Sequence, residues 1–536
     1  MLIETEPLLQ MMSIEQKAAQ MLMVSYPWTE MTRDWETFFR KCQVGGVILN
    51  ERNFQTVAQV RSLIEGLQDF ARETAVGIPL YVAIEQEGGS ASPLSFARAI
   101  HPGNMAIGAT RNSEYAYEAA RLCANELRSF GFTMNLAPVA DINHAYTNPV
   151  VGPRAFGERE DMVTQMTVKT VKGLQENGIA ACARHFPGLG RVVGECYDDL
   201  ASVGQNEETF TGSDFKPFVQ AIAARVDAIM VAVAAYTGMD RDGFPAALST
   251  KLVTNILRNT LNFKGVIVSD QVDCKAILDR IPIQEAATLA VRAGIDLILS
   301  KGTLENVAHL FVGIVDGLNK RYYGPERVEE AATRILKAKF RRSIDPVPFR
   351  DDPTDLMNRI ARDSVTLVRN EEGLLPLKLD AGEEGEHWIG VLSPHPPNRD
   401  MITLGEGLQG KHTWVEEVQY DPAAEDLDWQ EISDKFGNCE TLILVTSSPA
   451  LLNERQVDWL NRIIGLEKPT VLVSLQNPYH LMHFPAMKTY LATYGHSPSS
   501  LEALVDVLLG EANPRGRLPI TIPEVAEYGE GVGYGV

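Results

Sequence analysis

The chain has few cysteines, and none of them is paired in sequence. Its 536 residues include six cysteines, and no two of them form a Cys-x-x-Cys pair. Disulfide frameworks and cysteine-based metal sites depend on closely spaced cysteines, and neither is expected here. Scattered thiols are typical of reduced proteins, so we expect a cytoplasmic location.

Positive charge and long apolar runs are also scarce. Lys and Arg number 49 against 70 Asp and Glu, a formal net charge of −21. Nucleic acids and anionic membrane surfaces require a basic footprint, so neither is expected as a partner. No apolar run approaches the roughly 20 residues of a membrane span. The first residues, MLIETE, are acidic and lack the basic start and apolar run of a signal peptide.

What the chain does have is a regular series of short apolar runs. Eight such runs alternate with helical patterns, at residues 21–24, 46–49, 80–84, 133–137, 179–183, 228–233, 265–268 and 295–299. Runs without polar alternation are typical of strands buried on both faces of a parallel sheet. The pattern predicts an α/β fold with a (β/α)₈ TIM-type barrel, with an open doubly wound sheet as the alternative.

The alternation of apolar runs and helical patterns stops after the eighth run. Residues 346–353 contain three prolines and predict a linker over 343–355. The barrel is accordingly expected over residues 1–342. Strand patterns return at 388–392, 441–445 and 470–475, which predicts a smaller α/β domain over 356–536.

Polar side chains follow several of the apolar runs within a few residues. They are Glu85 after the third run, Asp141 after the fourth, Arg184 and His185 after the fifth, and Asp270 after the seventh. The carboxyl ends of barrel strands converge on one pocket. Acids beside Arg and His suit a polyhydroxylated neutral ligand such as a sugar, because carboxylates accept and cations donate hydrogen bonds.

Each of these residues also has a structural interpretation. Asp270 could cap a helix beginning near residue 272, Glu85 and Arg184 could form a structural ion pair, and His185 could be a hydrogen-bonded core histidine. The ten histidines show no metal-ligand spacing, so neither a metal nor another cofactor is expected.

Eight motifs, in order along the chain, resemble glycoside hydrolase family 3, and within it the bacterial β-N-acetylglucosaminidase (β-hexosaminidase) branch. They are VGGVIL at 44–49, IEQEGG at 84–89, PGNMAIGA at 102–109, NLAPVAD with RAFG at 135–157, RHFPG at 184–188, GVIVSD at 265–270, NEEGLLPL at 370–377 and GRLPITIP at 516–523.

This resemblance implies a barrel followed by an α/β sandwich, acting as an exo-acting retaining hydrolase. By the same resemblance Asp270 is the nucleophile that forms the covalent glycosyl-enzyme. The terminal sugar would be bound by the set Glu85, Asp141, Arg154, Arg184 and His185.

The chain departs from the family where the acid/base is expected. The branch carries an Asp-x-His dyad after the fifth strand, and an ungapped count places those positions on Glu195 and Tyr197, while Leu189 and Arg191 replace two other polar residues. A tyrosine with an ordinary pKa near 10 is a poor proton donor at neutral pH. Glu195 could act alone, another acid such as Asp198, Asp199 or a residue of the second domain could replace it, or the protein could bind sugars without cleaving them.

Milder departures are Glu85 for Asp, Arg184 for Lys, Ser90 for Arg and Gln271 for an acid. The sequence therefore predicts a hydrolase that releases terminal β-linked N-acetylglucosamine, with Glu195 as acid/base beside Tyr197. A β-glucosidase and a catalytically silent sugar-binding protein are the alternatives. The oligomeric state is left open.

Overall fold

The computed structural model describes residues 5–74, 76–342, 345–377, 387–395, 402–411 and 414–534. Within these residues the chain forms two sheets, one of eight and one of six strands. No helix among them is both long and apolar enough to cross a bilayer.

The first sheet is the predicted barrel. Its strands are parallel and lie in the order β7-β6-β5-β4-β3-β2-β1-β8. A parallel bridge between Val268 and Leu297 joins the two ends, and the Ser269 amide donates to the Leu297 carbonyl at 2.9 Å. The sheet therefore closes, which rules out the open alternative. The strands are β1 Leu22–Ser25, β2 Gly46–Ile48, β3 Tyr81–Ile84, β4 Met134–Asn135, β5 Ala180–Phe186, β6 Ala228–Val231, β7 Val266–Ser269 and β8 Ile298–Ser300.

Helices connect and surround these strands. The helix Ser113–Phe130 shows typical capping at both ends. The Asn112 side chain accepts from the Glu114 amide at 3.1 Å, and Gly131 ends the helix at φ 100°. A π-helix covers Lys251–Thr260. The α-helices are α1 Thr5–Met11, α2 Ile14–Gln20, α3 Arg33–Lys41, α4 Val57–Arg72, α5 Asn104–Thr110, α6 Ser113–Phe130, α7 Glu160–Glu176, α8 Glu207–Gly212, α9 Phe215–Ala223, α10 Lys275–Leu278, α11 Ile283–Ala293, α12 Leu304–Asn319 and α13 Pro325–Phe340.

The second sheet has the order β11-β10-β12-β13-β14-β9, in which only β9 runs antiparallel to its neighbour. Helices α14 Thr354–Ser364, α15 Leu404–Gln409, α16 Trp429–Phe436, α17 Glu454–Ile464 and α18 Pro498–Leu508 accompany it. Residues 345–353, between α13 and α14, contain no helix or strand, and residues 343–344 of the predicted linker lie outside the described part. The strands are β9 Thr366–Asn370, β10 Ile389–Pro394, β11 Val415–Tyr420, β12 Thr441–Thr446, β13 Thr470–Ser474 and β14 Thr489–Ala492.

The two domains contact each other beside the β4 loop of the barrel. The Asn143 amide donates to the Tyr479 hydroxyl at 3.1 Å, and the Thr521 hydroxyl donates to the Glu158 carboxylate at 2.8 Å. A backbone bond from Arg517 to Ala109 adds a further link, at 3.0 Å. The second domain thus supports one side of the barrel mouth.

Candidate active site

The mouth of the barrel brings together the polar residues that follow its strands. Asp270 follows β7, Glu85 follows β3, and Lys301 follows β8. Arg184 and His185 lie near the carboxyl end of β5. These positions lie at the carboxyl ends of parallel strands, where barrel enzymes hold their active sites.

Asp270 is almost completely buried, with 3% of its surface exposed. Its Oδ1 accepts from the Gln271 amide at 2.7 Å, and its Oδ2 accepts from the Tyr197 hydroxyl at 2.8 Å. The following helix, α10, begins at Lys275 with Cys274 as its N-cap, so Asp270 is not a helix cap. Its carboxylate is held in the mouth by two donors.

The Tyr197 hydroxyl binds Asp270, whereas only the backbone amide of Tyr197 contacts the Glu195 carboxylate. Its backbone carbonyl accepts from the Ala276 amide at 2.9 Å, which ties the loop after β5 to the segment after β7. Burial and the neighbouring Asp270 charge raise the pKa of Tyr197 well above its ordinary value. The phenol therefore stays protonated near neutral pH and donates to Asp270.

Asp141 and His185 form a second buried pair. The Asp141 carboxylate lies 2.8 Å from His185 Nδ1 and also accepts from the Leu189 amide at 2.7 Å. Burial lowers the pKa of His185 despite the opposing effect of Asp141. The ring is neutral, and because a carboxylate only accepts, Nδ1 carries the proton and Nε2 is left as an acceptor.

A chain of alternating charges crosses the mouth. Arg154 binds Glu87 through two hydrogen bonds, of 2.7 and 2.9 Å, and Arg184 also binds Glu87. Arg184 Nη1 then donates to Glu85 Oε1 at 2.6 Å, and Lys301 Nζ donates to Glu85 Oε2 at 2.8 Å. The Glu85–Arg184 ion pair considered from the sequence is present, as one part of this larger network.

Glu85 is the open member of that network. Its side chain is 27% exposed, whereas that of Glu87 is 1% exposed. Burial raises the pKa of the Glu85 carboxyl, but Arg184 and Lys301 outweigh it and hold this pKa well below its ordinary range. Glu85 is therefore an ionised acceptor that faces the pocket.

Glu195 lies on the exposed part of the loop after β5. Its Oε1 accepts from the amides of Cys196 and Tyr197, at 2.8 and 3.1 Å. Asp198 and Asp199 are also exposed on this loop, and Asp199 lies 3.5 Å from Arg280. All three acids face solvent near the mouth.

The two other replaced positions have structural contacts. The Leu189 side chain is fully buried in the core. Arg191 Nε donates to Asp214 at 2.9 Å, and its guanidinium carbon lies 5.7 Å from the centre of the Phe210 ring. Both side chains are therefore occupied by contacts that anchor the loop.

Sequence reasoning missed two members of the site, Glu87 and Lys301. Glu87 stands within the IEQEGG motif, and Lys301 is the second residue after the eighth apolar run. The rule that identified Asp270, to inspect the residue after each strand, would have found Lys301 as well.

The cysteines of the chain are not joined by disulfide bonds. All six cysteines are free and buried. Among the described residues, no three His, Cys, Asp or Glu side chains are grouped as metal ligands.

Comparison with known proteins assigns the chain to a family. Residues 13–338 match the model of the glycosyl hydrolase family 3 N-terminal domain, and residues 365–534 match that of its C-terminal domain. The chain belongs to glycosyl hydrolase family 3. The resemblance inferred from the eight motifs is confirmed.

Relatives of this family 3 chain are similar along most of its length. It is 30% identical to a β-N-acetylglucosaminidase/β-glucosidase of Cellulomonas fimi over 90% of this chain and 89% of that protein. A family 3 β-N-acetylglucosaminidase from Paenibacillus sp. str. FPU-7 has a similar structure, with 29% identity, a TM-score of 0.86 and coverage of 95% of this chain and 99% of that one. A fungal multi-domain family 3 β-N-acetylglucosaminidase gives 27% identity and a TM-score of 0.88, and this family 3 chain covers 62% of it while matching over 98% of its own length.

Proposed function

We propose that this family 3 protein is an exo-acting retaining glycosidase that releases terminal β-linked N-acetylglucosamine. The observation that carries the proposal is the buried Asp270 carboxylate, held by the Tyr197 hydroxyl at 2.8 Å in a mouth lined by paired acids and cations. A fixed, ionised carboxylate is what a covalent glycosyl-enzyme requires. The names of the Cellulomonas fimi and Paenibacillus relatives support the N-acetyl sugar.

In the proposed reaction, an Asp270 oxygen attacks C1 of the terminal sugar while the bond from C1 to the leaving-group oxygen breaks. Glu195 donates its proton to the leaving-group oxygen. Water then attacks C1, Glu195 takes a proton from it, and Asp270 leaves as a carboxylate. Tyr197 donates to Asp270 throughout and transfers no proton. Glu85, Asp141, Arg154, Arg184 and His185 bind hydroxyl groups of the terminal sugar.

We further propose that the chain has the three parts predicted from its sequence, which are a catalytic barrel at 1–342, a linker at 343–355 and an α/β sandwich at 356–536. No cofactor takes part in the proposed reaction. A cytoplasmic location, and the absence of nucleic-acid and membrane partners, stay predictions from composition.

The first test is release of 4-nitrophenol from its β-N-acetylglucosaminide and its β-glucoside. Nitrophenol leaves with little help from an acid, so this assay isolates the nucleophile. We expect turnover of the N-acetyl substrate and its loss, by roughly 10⁴-fold or more, in Asp270→Ala. Preferred turnover of the glucoside would favour the β-glucosidase alternative, which the double name of the Cellulomonas fimi relative also suggests. No turnover by folded protein would favour a silent sugar-binding protein.

The second test concerns the acid. Glu195→Gln is expected to reduce hydrolysis of methyl β-N-acetylglucosaminide by roughly 10²-fold or more and hydrolysis of the nitrophenyl substrate much less, because only the methoxide leaving group needs a proton. Asp198→Asn and Asp199→Asn are the matched controls. If one of these variants shows this pattern and Glu195→Gln does not, the acid is assigned to the wrong residue.

A further inference from the structure

Lys301 stands at the end of β8 in a turn that is fixed by one carboxylate. The Ser300 hydroxyl and the Gly302 amide donate to Asp273 Oδ2 at 2.6 and 2.9 Å, and the Lys301 amide donates to Oδ1 at 3.1 Å. A Cβ on Gly302 would lie 2.4 Å from that Oδ2, so a larger residue would have to displace the Asp273 carboxylate. The backbone of Lys301 is therefore held in place before any ligand arrives.

The Lys301 side chain reaches from β8 to a carboxylate that follows β3. Its Nζ lies 2.8 and 3.0 Å from the two oxygens of Glu85. An ammonium group has three protons, and within the described residues the structure gives this one no other acceptor. Lys301 therefore retains a donor for a ligand.

Glu85 retains an acceptor beside that donor. Its Oε1 accepts from both Arg184 and Lys301, whereas its Oε2 accepts from Lys301 alone. The Glu85 and Lys301 side chains are 27% and 30% exposed, against 3% for Arg184. Both members of the pair are thus accessible to a ligand.

The topology places Glu85 opposite the nucleophile, and the Lys301 ammonium group reaches Glu85 from β8, the neighbour of β7. In the barrel, β3 lies four strands from β7, which is halfway around a ring of eight. A sugar whose C1 meets Asp270 therefore directs its far side, which carries the hydroxyls on C3 and C4, toward Glu85 and Lys301. One acceptor and one donor side by side match two neighbouring hydroxyls, of which one donates and the other accepts.

We propose that Lys301 is a specificity-determining residue. Its ammonium group and the Glu85 carboxylate together bind the C3–C4 hydroxyl pair of the terminal sugar. Two equatorial hydroxyls lie next to each other and satisfy both groups. Inversion at C4 turns one hydroxyl out of the plane of the ring and leaves one group of the pair without its partner, which is costly in a partly buried site. This inference rests on the proposed function.

The test compares two substrates that differ only at C4, the 4-nitrophenyl glycosides of β-N-acetylglucosamine and β-N-acetylgalactosamine. The wild-type protein is expected to prefer the first. In Lys301→Met, which keeps an unbranched chain but removes the charge, we expect the ratio of the two kcat/KM values to fall about tenfold, mainly through KM of the first substrate. Lys301→Arg should restore part of the ratio, and Lys320→Met, which removes an exposed lysine paired with Asp316, should leave it unchanged.

Two outcomes would overturn the inference. An equal loss on both substrates, accompanied by a lower melting temperature, would make Lys301 a structural residue only. If the wild-type protein cleaves neither substrate, the proposed function fails, and calorimetric binding of the free sugars then tests Lys301 separately. Weaker binding of N-acetylglucosamine by Lys301→Met would support the inference, whereas equal binding by the two proteins, or none by either, would overturn it.

Discussion

Two carboxylates at opposite ends of the barrel show how one kind of ion pair serves two purposes. Asp296, at the amino end of β8, is 0% exposed and accepts from Arg258, Arg327 and Arg334 at 2.6 to 3.0 Å. Glu85, at the carboxyl end of β3, accepts from Arg184 and Lys301 at similar distances but is 27% exposed.

The difference lies in which partners remain available. Asp296 also accepts from the Ile267 amide at 3.0 Å, so protein donors surround it completely. The Glu85 carboxylate, by contrast, stays partly exposed at the barrel mouth. A saturated, buried carboxylate contributes to folding, whereas a restrained and open one can bind a ligand. For these two carboxylates, exposure and not charge separates the structural role from the binding role.

The strongest way to test this contrast is to remove the saturated carboxylate. Asp296→Ala leaves three arginine side chains without their shared partner, and loss of one partner of a buried pair costs about 3–5 kcal/mol. We expect the free energy of unfolding, measured in urea, to fall by that amount, while kcat/KM of the folded protein changes little.

Asp316→Ala is the matched control, because Asp316 pairs with Lys320 at the surface at 3.3 Å. It should change the free energy of unfolding by less than about 1 kcal/mol. If Asp296→Ala were as stable as this control, the ion pairs between Asp296 and its three arginines would not stabilise the fold.

At the mouth, Glu85→Gln should have the opposite profile. The amide keeps the shape of the side chain but loses the charge that holds Arg184 and Lys301, and it accepts hydroxyls less strongly. We expect kcat/KM for the nitrophenyl substrate to fall roughly tenfold to a hundredfold, with a small change in melting temperature. A large loss of stability with unchanged kinetics would place Glu85 in the same class as Asp296.

Tyr197→Phe removes a donor from the nucleophile without emptying the space. A hydrogen bond to a charged group contributes about 1.5–3 kcal/mol, so kcat should fall by roughly tenfold to a hundredfold. The pKa of Tyr197 lies well above its ordinary value, so the alkaline limb of the pH profile should be the same in both proteins. A limb that disappears in the variant would mean that Tyr197 titrates during turnover.

The smallest expected effect is on acid stability. The pKa of Glu85 is lower in the folded chain than its unfolded value of about 4.3, so its charge stabilises the fold fully above that pH and progressively less as pH falls toward the folded pKa. The stability advantage of the wild type over Glu85→Gln should therefore be constant from pH 5 to 7 and decrease below about pH 4. Urea unfolding at several pH values measures it, and an advantage that persists unchanged at pH 3 would contradict the assignment.

Much of the fold could be predicted because it depends on local patterns. Apolar runs marked all eight barrel strands, although the fourth is shorter than its run, Met134–Asn135 within 133–137. Pro138 follows that run, and proline supplies no amide to a ladder, so a short strand is reasonable. Positions after strands indicated Glu85, Asp141, Arg184, His185 and Asp270 as neighbours, and the structure brings them to one mouth.

The contacts that give each residue its chemistry could not be predicted in this way. Tyr197 meets Asp270 across 73 residues of chain, and Lys301 meets Glu85 across 216. The sequence by itself determined the eight-stranded α/β pattern, the second domain, the family and the strand ends where the site lies, whereas closure of the sheet was seen only in the structure. Only the tertiary structure decided that Tyr197 binds the Asp270 carboxylate, that Lys301 completes the Glu85 pair and that Arg191 binds Asp214. The physical reason is that strand periodicity is written locally, whereas the pairing of charges depends on which loops closure of the barrel brings within hydrogen-bonding distance.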